Sequence, residues 1–139
     1  MERTLVLIKP DAMQRDLAGT IIARLEKLGM KLVALKILHP DKALAQRHYA
    51  VHKDKPFYND LVDYISSAPI VACVFEGEGA VEKIRKAMGA TDPAKAEKGT
   101  IRGDFGESLE RNSVHGSDSP GNAEIEIELF FSPDELFGY

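Results

Sequence analysis

Apolar positions along the chain change their period several times, and each change marks an element. "TLVLIK" (Thr4 to Lys9) is apolar and partly β-branched, and Pro10-Asp11 stops it, which predicts a buried strand. "LAGTIIARLEKLG" puts apolar residues at positions 17, 21, 22, 25 and 28, the spacing of an amphipathic helix, with Gly29 as its C-terminal stop. "MKLVALKIL" (30–38) alternates and predicts a second strand. Asp41 then opens a helical "KALAQRHYAVH", and "PFYNDLVDYISSAP" carries Phe57, Leu61, Tyr64 and Ile65 at helical spacing before Pro69. "IVACVFEG" (70–77) predicts a third strand, and "AVEKIRKAMG" a helix closed by Gly89.

A fourth strand would complete a split β-α-β arrangement. Residues from Ala90 to Arg111 show little periodicity and contain Asp92-Pro93, Lys98-Gly99, Gly103 and Gly106, so they read as a long loop, either functional or disordered. "AEIEIELFF" is open to two readings. Its alternation fits a strand, whereas Ser119-Pro120 is a good helix start and Ile125 with Leu129 fits helical spacing. In the second case the short run before His115 supplies the fourth strand.

Composition narrows the picture. With 139 residues and 44% hydrophobic content, the chain is expected to form one domain over residues 1–139. No apolar run approaches the ~20 residues needed to cross a bilayer, and the N-terminus does not resemble a cleavable signal, so a cytoplasmic protein without membrane association is expected. The single cysteine, Cys73, cannot form an intramolecular disulfide and reads as a small buried hydrophobe. A net charge of -4 argues against nucleic acid as an obligate partner. Charge is uneven, however: from Asp104 onward there are nine acids against one base, Arg111, leaving the first 103 residues with a net excess of four positive charges. An anion bound late in the chain would therefore take its cations mainly from the earlier part.

Common nucleotide-binding signatures are absent. There is no G-x-x-x-x-G-K-[ST] loop, no complete G-x-G-x-x-G after a strand and no C-x-x-C pair. His48 and His52, four apart in "HYAVH", have a spacing that can hold zinc but lack the glutamate of H-E-x-x-H, and they read as two polar residues on an exposed helix face. "RGD" at 102–104 is too short a motif to carry weight. His115 stands out. It sits in "NSVHGSDSPGN", among small polar residues that leave its ring approachable, and at the end of an element, where functional groups often project. A neutral imidazole with one nitrogen tied and the other free is a competent nucleophile toward a phosphoryl group. Cations for such a reaction are available at Lys9, Arg85 and Arg102, although spacing alone equally allows solvated surface charges.

"RTLVLIKPDAMQR", "HYAVHKDKPFYNDLVDYISSAP", "GATDPAKAEKGTIRGDFG" and "RNSVHGSDSPGNAEIEIELFF" together resemble, in order, the successive blocks of the nucleoside diphosphate kinase family from near Arg3 to about Phe131. The resemblance implies an α/β fold, a ferredoxin-like sandwich with a four-stranded antiparallel sheet covered by helices. It implies a ping-pong reaction in which a nucleoside triphosphate gives its γ-phosphate to His115, and the phosphohistidine passes it to a nucleoside diphosphate. By position, Lys9, Tyr49, Arg85, Thr91, Arg102 and Asn112 match residues that hold phosphates and sugar, and Phe57 and Leu61 match those that contact the base. Ser117 and Glu126 match the pair that supports the histidine, which favours the helical reading of "AEIEIELFF".

Stacking on Phe57 would tolerate any base, so broad base specificity is expected. Mg²⁺ is the implied cofactor, carried mainly by the nucleotide phosphates, with no protein metal ligands. Leu109 stands where many members of the family have valine, a change expected to trim the base pocket. The chain ends at Tyr139, like the short bacterial type, which implies a homo-oligomer built from dimers, as a tetramer or a dimer. The competing expectation is a non-catalytic ferredoxin-like module that binds a nucleotide or a partner.

Overall fold

The computed structural model describes residues 1–139 and contains one four-stranded sheet. Strand β1 spans Glu2–Ile8, β2 Lys31–Leu38, β3 Ile70–Gly77 and β4 Val114–Gly116. Their spatial order is β2-β3-β1-β4 and every pairing is antiparallel. Around them lie α1 (Pro10–Gln14), α2 (Ala18–Glu26), α3 (Lys42–His48), α4 (Tyr58–Ile65), α5 (Ala80–Met88), α6 (Ile101–Phe105) and α7 (Pro120–Phe130).

The apolar runs Leu5–Ile8 of β1 and Ile70–Phe75 of β3 follow from the strands' central places in a sheet covered on both faces. Side chains alternate between two cores. Leu5 and Leu7 of β1 join Ala72 and Val74 of β3 in one core, closed by Ala45, Val62, Ile65, Ile127 and Phe130 from α3, α4 and α7. Val6 and Ile8 join Val71, Cys73 and Phe75 in the other, closed by Ile21 and Leu25 of α2 and Ile84 and Met88 of α5. The β1-α2-β2-β3-α5-β4 frame is the ferredoxin-like fold, and α3, α4 and α7 cover its second face.

Most predicted elements stand where the periodicity put them. Asp41 caps α3 by accepting a hydrogen bond from the Leu44 amide at 2.7 Å. The ambiguous C-terminal run is the helix α7, opened by Ser119 accepting from the Asn122 amide at 3.1 Å and by Pro120 in the first turn. Three expectations are corrected. His115 lies inside β4 rather than after it. The α-helix over "KALAQRHYAVH" ends at His48 and tightens into a 3₁₀ turn, Ala50–His52. The stretch from Ala90 to Arg111 is not all loop, because it holds a 3₁₀ turn at Pro93–Lys95 and the helix α6. Thr100 starts α6 by accepting from the Gly103 amide at 3.1 Å, and Asp104 on it pairs with Arg24 at 2.8 Å.

Candidate active site

The register of the sheet places the site. Leu7 of β1 lies opposite His115 of β4, so the imidazole stands on the face covered by α3 and α7, while Val114 beside it enters the opposite core. Lys9 continues the same parity from the end of β1. The strand ends thus bring residues 9 and 115 to one edge of one face, roofed by two helices.

His115 Nε2 lies 3.2 Å from both carboxylate oxygens of Glu126 on α7. Ser117 Oγ donates to Glu126 Oε1 at 2.6 Å and accepts from the Leu5 amide at 3.3 Å, so the carboxylate is anchored to β1. Burial is the largest influence on Glu126 and opposes its ionisation. Hydrogen bonds from His115 and Ser117 and the neighbouring imidazoles together outweigh it and hold the carboxyl below its usual range. An ionised carboxylate only accepts, so Nε2 carries the proton and Nδ1 keeps its lone pair. With 22% of its side chain exposed, the ring is open to a ligand.

Cations and hydroxyls converge on the same space. Lys9 Nζ donates to Asn112 Oδ1 at 2.8 Å, and Asn112 Nδ2 donates to the Thr91 carbonyl at 3.0 Å. Burial, then the nearby Arg102, lower the Lys9 ammonium to about 8, with Asp11 acting in the opposite direction. Arg102 on α6 donates from Nη1 to the Gly89 carbonyl at 3.1 Å and from Nη2 to the Val114 carbonyl at 2.9 Å, while its buried Nε has no partner. Burial and Arg85 bring Arg102 down to about 10, and it stays a cation at neutral pH. Tyr49 caps the end of α3, and burial, followed by Glu126, raises its phenol, which keeps the hydroxyl protonated.

A cavity of about 610 Å³ lies among these groups. It is lined by Lys9, Tyr49, Phe57, Leu61, Arg85, Thr91, Arg102, Asn112, His115 and Glu126, so every candidate but Ser117 faces one space. Ser117 is fully buried behind Glu126. Phe57 and Leu61, at the start of α4, line the same cavity, as does the exposed Leu109.

The expectation that His48 is an exposed helix residue is corrected. Its side chain is 1% exposed, and its ring lies 4.6 Å from that of His115, edge to face. Burial first, and then His115, lower it to about 3, so it is neutral. Ala45, one turn before it on α3, is buried as well, but a polar residue at that spacing does not by itself announce burial. His52 also lines the cavity, its ring 5.5 Å from that of Phe57. Cys73 is buried as expected, with its thiol pushed up to about 12 by burial.

An imidazole with a fixed tautomer, sharing one cavity with three cations in an α/β fold, defines a phosphotransferase site. Comparison with known proteins gives the family. The family model described as nucleoside diphosphate kinase matches residues 2–136. A nucleoside diphosphate kinase from Dehalococcoides mccartyi (strain ATCC BAA-2266 / KCTC 15142 / 195) is 63% identical over 139 residues, covering 100% of this chain and 98% of that protein. One from Synechococcus elongatus is 59% identical over 98% of this chain and 91% of its own length. A solved structure of a halophilic nucleoside diphosphate kinase from Halobacterium salinarum in complex with CDP superposes with a TM-score of 0.97 at 50% identity, over 99% of this chain and 92% of that one. The chain belongs to the nucleoside diphosphate kinase family, whose members are nucleotide-binding phosphotransferases. Nucleotide kinases generally work with a divalent metal.

Proposed function

We propose that this chain moves the γ-phosphate of a nucleoside triphosphate to a nucleoside diphosphate through a phosphohistidine on His115 Nδ1. The observation that carries the reading is the occupation of Nε2 by Glu126 at 3.2 Å, which leaves Nδ1 as the nitrogen with a free lone pair. Nδ1 attacks the γ-phosphorus in line. The new N–P bond forms as the bond to the bridging oxygen breaks, and the electron pair leaves on the nucleoside diphosphate. The ring becomes cationic while Nε2–H remains on Glu126, whose charge stabilises it. The second half reaction runs this step backward onto a different diphosphate.

Lys9, Arg85 and Arg102 neutralise phosphate charge, and the guanidiniums suit charge spread over equatorial oxygens. Tyr49 and Thr91 supply hydroxyl donors, and Asn112 holds the sugar while it orients Lys9. Phe57 and Leu61 bracket the base without reading its edge, which supports broad base specificity. Mg²⁺ neutralises and orients the phosphates when bound. The one cluster of three metal-ligating groups contains two imidazoles, a poor set for this oxygen-seeking ion, so Mg²⁺ arrives on the nucleotide.

The same reading takes residues 1–139 as one domain, supported by the shared sheet between the two cores. It takes the working form as a homo-oligomer built from dimers, a tetramer or a dimer. In support, β2 is an edge strand with Leu35 51% and Ile37 68% exposed. A cytoplasmic setting accords with the free thiol of Cys73, and no helix is long and apolar enough to cross a membrane.

The experiment mixes the protein with Mg²⁺ and ATP labelled on its γ-phosphate, without acceptor. Acid-labile, alkali-stable label on the peptide containing His115, discharged by GDP as labelled GTP, is expected, and His115→Ala should abolish it. Nucleotide binding without label would reduce the chain to a binding module.

A further inference from the structure

The phosphotransfer reading gives His48 no role. The side chain is 1% exposed, yet both Nδ1 and Nε2 lack a hydrogen-bond partner. A neutral imidazole always carries one N–H and one lone pair, and buried polar groups are nearly always paired. Its Nδ1 points toward Glu126, 3.7 Å from Oε2, the same oxygen that lies 3.2 Å from His115 Nε2.

We propose that, with no nucleotide bound, His48, His115 and Glu126 hold one zinc-type divalent cation, and that this cation silences His115. One ligand atom from each residue lies within 4.8 Å of the other two. A tetrahedral zinc ion with ligands at about 2.0–2.2 Å sets its ligand atoms roughly 3.3 Å apart, and the two separations to Glu126 Oε2, 3.2 Å from His115 and 3.7 Å from His48, lie near that spacing. Two imidazoles and a carboxylate select zinc or cobalt over magnesium. Three protein ligands leave a fourth position for water on the cavity side. The ligands come from the end of α3, from β4 and from α7, elements already packed together, and His52 is not among them.

Silencing follows from proton bookkeeping, and this half of the proposal rests on His115 being the nucleophile. In the metal-free site the single ring proton of His115 sits on Nε2. A cation bound at Nε2 displaces it, and the neutral ring then holds its proton on Nδ1. The nitrogen that attacks phosphorus loses its lone pair, while Glu126 trades a hydrogen bond for a metal bond.

The test needs no variant, because the chain has only four histidines, at 39, 48, 52 and 115. Nucleotide-free protein with ¹⁵N-labelled imidazoles is titrated with Zn²⁺ and followed by NMR. One equivalent is expected to shift ring nitrogens of His48 and His115 and leave His39 and His52 in place, and Co²⁺ is expected to give a four-coordinate visible spectrum at the same stoichiometry. Shifts confined to His39 or His52, or no saturation at one equivalent, would overturn the site. Single-turnover labelling from γ-labelled ATP, with protein in excess so that nucleotide cannot strip the metal, should slow at least about tenfold with Zn²⁺ and recover with a chelator, as expected for the wrong tautomer. Occupied metal with an unchanged labelling rate would overturn the silencing. Failure of His115 to take label even without zinc would instead sink the functional reading and leave the metal site standing.

Discussion

Lys9 Nζ donates to Asn112 Oδ1 over 2.8 Å although 103 positions separate the two residues. The bond aims a buried ammonium at the cavity from the end of one strand and ties it to the segment leading into another. Asn112→Ala removes the acceptor for Lys9 and the donor to the Thr91 carbonyl. A buried group left unpaired costs about 1–3 kcal/mol, so kcat/KM is expected to fall by roughly 10- to 100-fold, with a lower melting temperature. Steady-state kinetics and a thermal melt measure both, and unchanged values would make the bond incidental.

Lys9 is also expected to set a pH limit on the proposed reaction. Its ammonium titrates near 8 instead of 10.5, chiefly because it is buried. Rising pH removes the charge, so kcat/KM should decline above about pH 8, and the decline should be absent in Lys9→Met, whose residual rate is low throughout. Stability moves the opposite way. Between about 8 and 10.5 the unfolded chain holds the Lys9 proton and the folded one does not, so this group alone makes unfolding harder as pH rises through that window. A flat kcat/KM from pH 7 to 9.5 would contradict the assignment.

The strands were legible in the sequence because β1 and β3 are buried on both faces, and a short unbroken apolar run between turn residues fits a buried strand best. Helix α7 was less legible. Ala123, Ile127 and Phe130 face the core at helical spacing, but Ile125 is 62% exposed beside the cavity, and that apolar outward position imitates strand alternation. Helices α1 and α6 are five residues each, too short for periodicity, and a cap and the Arg24–Asp104 pair define α6. His115 stood out by its small polar neighbours. The convergence of Lys9, Arg102 and Asn112 depends on strand order, which local pattern does not encode, so only family resemblance pointed to it. His48 escaped because burial of a polar helix residue depends on what packs over it, which spacing does not show.

In the proposed reaction Ser117 acts through Glu126. Its hydroxyl accepts from the Leu5 amide and donates to Glu126 Oε1, so Ser117→Ala leaves a buried amide unpaired and frees the carboxylate to rotate. Groups that orient a reacting imidazole typically contribute about 10- to 100-fold. Glu126→Gln should cost at least as much, because an amide can present its NH₂ to Nε2 and favour the wrong tautomer of His115. Single-turnover phosphorylation gives the rates, and imidazole ¹⁵N shifts give the tautomer. A slow variant that kept the Nε2–H tautomer would show that charge, and not tautomer, is the larger contribution.

Arg85 and Arg102 separate ligand binding from architecture. Both line the cavity, but Arg102 also bridges the Gly89 and Val114 carbonyls, linking the end of α5 to β4 beside His115. Arg102→Lys keeps the charge and loses the fork, since one ammonium cannot reproduce a planar guanidinium between two carbonyls and a phosphate. It should lose roughly 10²-fold in kcat, the scale of a single transition-state donor, and should also melt lower. Arg85 makes no side-chain hydrogen bond to the protein, so Arg85→Ala should weaken nucleotide binding and leave the melting temperature within about a degree. Parallel kinetics and melts of the two variants decide the matter: equal thermal losses would mean that the Arg102 bridge does not hold β4 in place.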